Sequence, residues 1–112
     1  MKDRQDIICA VLVIGAGFAG MVAAARASDL GLQTVQVGNS SNLFLASGLF
    51  DLLGVYPVAS GQPLKTPEQG MEKLIADCPH HPYSKTGYKK VLESWDFLKY
   101  FLASAGLEYP SN

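Results

Sequence analysis

Residues 11–20, VLVIGAGFAG, constrain the fold more than any other stretch of the chain. The Ile- and Val-rich run that leads into the glycines is typical of a strand buried on both faces of a parallel sheet. An alanine-rich segment follows and predicts a helix that ends at Gly31. The alternating, β-branched segment LQTVQV then predicts a second strand. The order is therefore βαβ, a unit whose crossover is right-handed.

The glycines between the first strand and the helix have the spacing GxGxxG, with Gly15, Gly17 and Gly20. The first glycine allows a tight turn, the second lets the backbone approach a phosphate, and the third lets the helix pack against the strand. The helix N-terminus then offers N–H groups and partial positive charge to an anion. This context predicts a nucleotide site, and the alternative is a glycine-rich turn that binds no ligand. The cofactor-binding residues predicted from this unit are Gly15, Ala16, Gly17, Phe18, Ala19, Gly20, Gly38 and Asn39.

Gly38 stands at the end of the second strand, where an Asp or Glu usually binds the adenosine ribose. Glycine has no side chain to accept a ribose hydroxyl, although Asn39 and the two serines after it could reach one. Three interpretations stay open: FAD is held without the acid, the cofactor is a mononucleotide, or the site is degenerate. The lack of an acid at Gly38 argues against ordinary NAD binding.

The rest of the chain predicts mainly loops and helices. Residues 39–65 have mixed signals and read as a loop or a short strand. Thr66 predicts the N-cap of a helix, with Gln69 completing a capping box, and a second, longer helix is predicted from Tyr88 to Gly106. We therefore predict one α/β domain over residues 1–112, a Rossmann-like FAD/NAD(P)-binding βαβ unit over 6–38 followed by helices over 66–106. Two strands cannot bury both faces of an open sheet, so this domain is predicted to be incomplete, either as part of a larger domain or as a chain that pairs with another.

Composition excludes several classes of function. The net charge of −1 and the lack of a basic cluster argue against nucleic-acid binding, and no apolar run is long enough to span a bilayer. The N-terminus has no signal-peptide pattern, so a cytoplasmic protein with free thiols at Cys9 and Cys78 is expected. His80 and His81 lie in a proline-flanked loop that predicts no metal site, and the catalytic residues stay unknown.

Two later segments resemble the N-terminal region of the B subunit of anaerobic glycerol-3-phosphate dehydrogenase. That family has a Ser-Gly-x-x-Asp-Leu-Leu segment after the second strand, and then a His-Pro-Tyr segment before a long helix. The matching positions are Ser47, Gly48, Asp51, Leu52 and Leu53, and then His81, Pro82 and Tyr83. The resemblance covers nearly the whole chain.

The resemblance implies a flavoprotein subunit whose cofactor is FMN or FAD, with FMN the usual assignment. Such a complex oxidises sn-glycerol 3-phosphate to dihydroxyacetone phosphate and passes electrons to a quinone. It implies a partner flavoprotein subunit and a membrane-associated iron–sulfur subunit, which would place the chain at the inner face of the membrane. Ser47 and Gly48 would lie near the flavin. The alternatives are another FAD-dependent oxidoreductase of unknown substrate, or a non-catalytic remnant or interaction subunit. So short a chain is expected to be inactive by itself.

Overall fold

The structure is a computed structural model that describes residues 6–39, 46 and 50–109. It divides into two compact units, Met1–Gly48 and Leu49–Asn112. The boundary between the units lies inside the segment 39–65 that the sequence marks as loop or short strand.

The first unit is a βαβ unit, as the sequence predicts. Strand β1, Val11–Ile14, is followed by helix α1, Phe18–Asp29, and by strand β2, Thr34–Val37. The two strands pair in parallel, with Val11 opposite Thr34 and Ile14 opposite Val37. Helix α1 packs against both strands. The predictions of an α/β fold and of a parallel βαβ unit are confirmed.

Helix α1 ends where the sequence predicts, at Gly31. This glycine adopts a left-handed conformation with φ 76°. Its N–H donates to the Ser28 carbonyl, and the Leu32 N–H donates to the Ala27 carbonyl. These two bonds form a Schellman motif, which satisfies carbonyls at the end of the helix. Ala24 and Ala27 are the buried residues of the helix, and their small side chains bring α1 close to the sheet.

One face of the sheet differs from the prediction. The apolar run predicts a strand buried on both sides, but β1 covers four residues and its second face is open. Leu12 is 54% exposed and Ile14 is 81% exposed, and Val37, the register partner of Ile14, is also exposed. Side chains alternate between the two faces of a strand, so α1 covers only the face that Val11 and Val13 share. The prediction of burial on both faces is wrong for the described chain.

The second unit is built from two helices and the loop before them. Residues 51–54 have no regular structure, Val55 forms an isolated antiparallel bridge with Pro63, and Val58–Ser60 forms a 3-10 turn. Helix α2, Pro67–Asp77, then packs against helix α3, Pro82–Ser104.

The core of this unit lies between α2 and α3. Thr66 caps α2 as predicted, because its side-chain oxygen accepts a hydrogen bond from the Gln69 N–H. Met71 is fully buried, Leu74 is nearly so, and Leu98 of α3 is buried as well.

Helix α3 begins earlier than the sequence predicts. The residues between His81 and Tyr88 are predicted as loop, but a helical turn begins at Pro82. Gly87, with φ 72° and ψ 160°, separates that turn from the long helix. His81 caps the turn: its Nδ1 accepts a hydrogen bond from the Tyr83 N–H at 3.2 Å. The loop prediction is therefore wrong from Pro82 onward, because a histidine cap and a proline at the first position start a helix there.

Aromatic side chains tie the ends of the second unit together. Phe50, Trp95 and Tyr109 contact one another edge to face, with ring centroids 5.3 to 5.7 Å apart. The Phe50 N–H also donates to the Tyr109 hydroxyl at 3.3 Å. Over the described ranges, the structure contains no helix long and apolar enough to cross a membrane.

Candidate nucleotide-binding site

The turn between β1 and α1 is held to the second strand through Gly15. Its N–H donates to the Val37 carbonyl at 2.7 Å, and its carbonyl accepts a hydrogen bond from Gln36 Nε2 at 2.9 Å. The φ of Gly15 is 125°, a conformation that other residues rarely adopt. Glycine is therefore required here by the backbone itself, and the turn has a fixed geometry.

Gly17 is different, because neither its backbone conformation nor a contact with the described residues requires a glycine there. It is the N-cap of α1, with an ordinary extended backbone at φ −77° and ψ −179°. A Cβ added at Gly17 would meet no atom of the described residues within 4 Å. Gly17 has no side chain to cap α1, and the first turn of the helix has no acidic residue. The positive end of the helix dipole therefore lies at a position that the described chain leaves accessible to a phosphate.

Gly20 is explained by packing. A Cβ at this position would collide with the Gly15 carbonyl oxygen and would lie 3.4 Å from Gln36 Nε2. Gly20 therefore brings the first turn of α1 against the glycine turn and leaves room for the Gln36 amide. The turn at Gly15 and the close packing at Gly20 agree with the roles that the motif predicts for these two glycines, and the approach of a phosphate at Gly17 stays a prediction.

Gly38 is packed against the same turn. A Cβ at Gly38 would lie 2.5 Å from the Ala16 nitrogen and 2.9 Å from both the Ala16 Cβ and the Gly15 carbonyl carbon. In this backbone the position admits no side chain, and so no carboxylate. The strand end that usually carries the ribose-binding acid is instead in close contact with the glycine turn.

The structure brings most of the predicted site together. Residues 15–20 form the turn and the start of α1, and Gly38 lies against Gly15 and Ala16, with the exposed Asn39 directly after it. Ser47 and Gly48 lie outside the described residues. Gln36 was not predicted. The signal available for it in the sequence was a polar residue between the two valines of β2, and its pairing with Val13 is seen only in the structure.

Other titratable residues are found in the second unit. The Tyr56 hydroxyl donates to Asp77 Oδ2 at 3.0 Å. Partial burial raises the pKa of the Tyr56 phenol to about 12, and the hydrogen bond to Asp77 and the nearby charges of Asp77 and Cys78 act in the same direction. Within the part of the chain that the structure describes, no cluster of three or more His, Cys, Asp or Glu residues could hold a metal ion.

The fold and the turn together define a nucleotide-binding βαβ unit. Comparison with known families agrees: the family model "FAD binding domain" matches residues 10–111. The chain belongs to this family of FAD-binding domains. The expectation of FMN or FAD is confirmed, and FAD is the cofactor that the family names. The N-terminus of α1 fits its diphosphate, because its first turn lacks acidic residues and, among the described residues, no atom would obstruct a group approaching Gly17.

Among characterised proteins, the chain is similar to the B subunits of the anaerobic glycerol-3-phosphate dehydrogenases of several bacteria. It is 38% identical to that of Vibrio cholerae over 85% of its length, and 37% identical to that of Pectobacterium carotovorum over 69%. It is 31% identical to that of Aliivibrio fischeri over 89%. The chain spans only about a fifth of the length of these relatives, between 18% and 22%. No solved structure matches the chain.

Proposed function

We propose that this chain binds FAD through the glycine turn and the first turn of α1. The open space at Gly17 carries this proposal, because no contact with the described residues explains a glycine there. The cofactor diphosphate would approach the backbone at Gly17 and accept hydrogen bonds from the amides of the first helical turn. Gly15 and Gly20 would hold these amides in place, and Asn39 is the nearest described side chain after β2 that could contact the ribose.

We further propose that the chain is the N-terminal, flavin-binding part of an oxidoreductase like the B subunit of glycerol-3-phosphate dehydrogenase. Its similarity to these subunits extends over most of the chain and supports the assignment. The reaction would be oxidation of sn-glycerol 3-phosphate to dihydroxyacetone phosphate, with the bound flavin supplying the electron-accepting chemistry. Electrons would leave through a partner flavoprotein subunit and a membrane-associated iron–sulfur subunit to a quinone. Ser47 and Gly48 are proposed to lie near the ribityl chain or the isoalloxazine ring of the flavin.

The domain is proposed to be incomplete, because the sheet face opposite α1 is apolar and no described residue covers it. Leu12, Ile14 and Val37 share this face and all three are exposed. In a finished α/β domain both faces of the sheet are covered. Catalysis would accordingly need residues that these 112 do not supply.

A flavin titration tests the binding proposal. FAD is added to the purified chain and its fluorescence is followed, with FMN titrated in parallel. We expect saturable binding of FAD, and FAD rather than FMN among the flavins released from the protein as purified. If neither flavin binds, and the protein cannot be reconstituted, the binding proposal is wrong and the non-catalytic alternative is favoured.

The reaction requires a second experiment. The chain replaces the matching N-terminal part of a related B subunit, because it spans only about a fifth of such a subunit. This chimera is co-expressed with the flavoprotein and iron–sulfur subunits of the related complex, and reduction of a quinone analogue by sn-glycerol 3-phosphate is measured. The control B subunit lacks the N-terminal part altogether. We expect reduction only with the chimera, and equal rates for the chimera and the control would contradict the role of the chain in the reaction, even if FAD binding is observed.

A further inference from the structure

Gln36 lies in β2, and its side chain connects this strand to the glycine turn. It is paired with Val13 in the parallel register, and side chains at paired positions share one face of the sheet. Its Nε2 lies 3.4 Å from the place where a Gly20 Cβ would be, so its side chain lies beside the first turn of α1. From there Nε2 donates to the Gly15 carbonyl at 2.9 Å.

Two hydrogen bonds of Gly15 fix the two consecutive peptide planes on either side of this residue. The Gly15 N–H is held by the Val37 carbonyl, and the Gly15 carbonyl is held by Gln36. In a planar trans peptide the carbonyl and the following N–H point in opposite directions. A Gly15 carbonyl fixed toward Gln36 therefore directs the Ala16 N–H away from Gln36. Gly38 packs beside this nitrogen, where a Cβ would come within 2.5 Å of it, so a side chain at position 38 would crowd the Ala16 amide.

We propose that Gln36 is a positioning residue of the phosphate site, which holds the Gly15–Ala16 peptide so that the amides of the turn are oriented toward the cofactor diphosphate. The proposal rests on the proposed binding of FAD at this turn. A pre-oriented donor loses no binding free energy to reorganisation when the anion arrives. Because Gly15 has wide conformational freedom, a side chain that restrains its peptide has a larger effect here than beside another residue.

Three variants of the full chain test this role. Gln36→Met keeps the length of the side chain and removes the donor. Gln36→Glu keeps the shape but places a carboxylate against the Gly15 carbonyl. Gln33→Met is the matched control, because Gln33 is exposed, precedes β2 and contacts β1 through its backbone carbonyl, which the substitution retains. The probe is FAD, and the dissociation constant is measured for each protein well below its Tm.

We expect Gln36→Met to weaken FAD binding about 3- to 10-fold, as loss of one hydrogen bond predicts, and Gln33→Met to leave it unchanged. Gln36→Glu should bind about 10-fold or more weakly at neutral pH and recover part of this loss on acidification, because a protonated carboxyl regains the donor. In the ligand-free protein, the NMR shifts of the Ala16 amide and the Gly15 carbonyl should move in Gln36→Met and stay in Gln33→Met. A purely structural role would lower the Tm of Gln36→Met without changing its FAD affinity.

Two outcomes would overturn the proposal. One is an FAD affinity of Gln36→Met equal to that of the wild type. The other is an unchanged Ala16 amide shift in the ligand-free variant, since the peptide would then not be held by Gln36. If the wild type itself binds no FAD, the proposed function fails. The Ala16 shift, together with a titration of inorganic pyrophosphate followed at the Ala16 and Gly17 amides, then decides the role of Gln36 separately.

Discussion

Replacing Gly17 with serine should make the protein more stable and its cofactor binding weaker. The backbone at Gly17 has the extended conformation of an N-cap, and a Cβ there meets no atom within 4 Å. Serine is a better N-cap than glycine, because its hydroxyl accepts a hydrogen bond from the second or third N–H of the helix. In α1 these are the amides of Ala19 and Gly20.

The two effects have different magnitudes. Serine in place of glycine at an N-cap is worth a few tenths of a kcal/mol, which would raise Tm by about 2 °C for a chain of this size. The same hydroxyl would take an amide that the diphosphate needs, and its bulk would stand where the phosphate must approach. A hydrogen bond to a charged group contributes about 1.5–3 kcal/mol, so we expect FAD affinity to fall about 10-fold or more.

The assay pairs thermal unfolding with FAD titration on the same preparations. Gly54→Ser is the matched control, because Gly54 also has open space around its Cβ and lies in the second unit. It should leave FAD affinity unchanged. If Gly17→Ser binds FAD as tightly as the wild type, the phosphate does not approach this residue, and the assignment of the site to the N-terminus of α1 is refuted.

Three other predictions concern packing and ionisation. Gly38→Glu, which restores the acid of the usual motif, should weaken FAD binding and cost about 1–3 kcal/mol of stability, because its Cβ would overlap the turn. Met71→Ala should cost about 2–5 kcal/mol in chemical denaturation, since Met71 is fully buried. Tyr56, whose raised pKa favours the neutral phenol in the folded state, should stabilise the protein below pH 10 and lose this contribution progressively as pH rises from 10 to about 12.

Each of these three predictions has a control variant or a comparison with the wild type. Gly38→Ala adds the clashing Cβ without the charge of Glu. A stable Gly38→Ala variant with normal FAD affinity would show that the glycine turn leaves room for a side chain at position 38. Leu107→Ala, at an exposed leucine, is the control for Met71, and equal losses from both variants would contradict the assigned core. For Tyr56, the difference in stability between wild type and Tyr56→Phe is measured from pH 8 to pH 12; a difference that stays constant over this range would contradict the raised pKa.

The local features of the protein could be predicted from its sequence. Gly31 ends α1 and Thr66 begins α2 because their conformations and hydrogen bonds involve only residues within a few positions of each other. The glycine turn was predictable for the same reason, since the spacing of its three glycines reflects one turn and the helix that follows. The start of α3 was missed at Pro82, although the capping histidine beside it is also a local feature.

The tertiary structure decided what surrounds the turn. Residues 36 and 38 meet Gly15 and Ala16 only because β1 and β2 pair in parallel with Ile14 opposite Val37, and no local rule relates positions so distant in the chain. From the sequence, Gly38 looked like a site that had lost its acid; in the structure it is a glycine because the backbone of the turn occupies the space of a side chain. The exposure of the apolar sheet face that carries Leu12, Ile14 and Val37 was likewise decided by the tertiary structure. Apolar residues indicate that a surface can be buried, but only the packing of other elements determines whether it is.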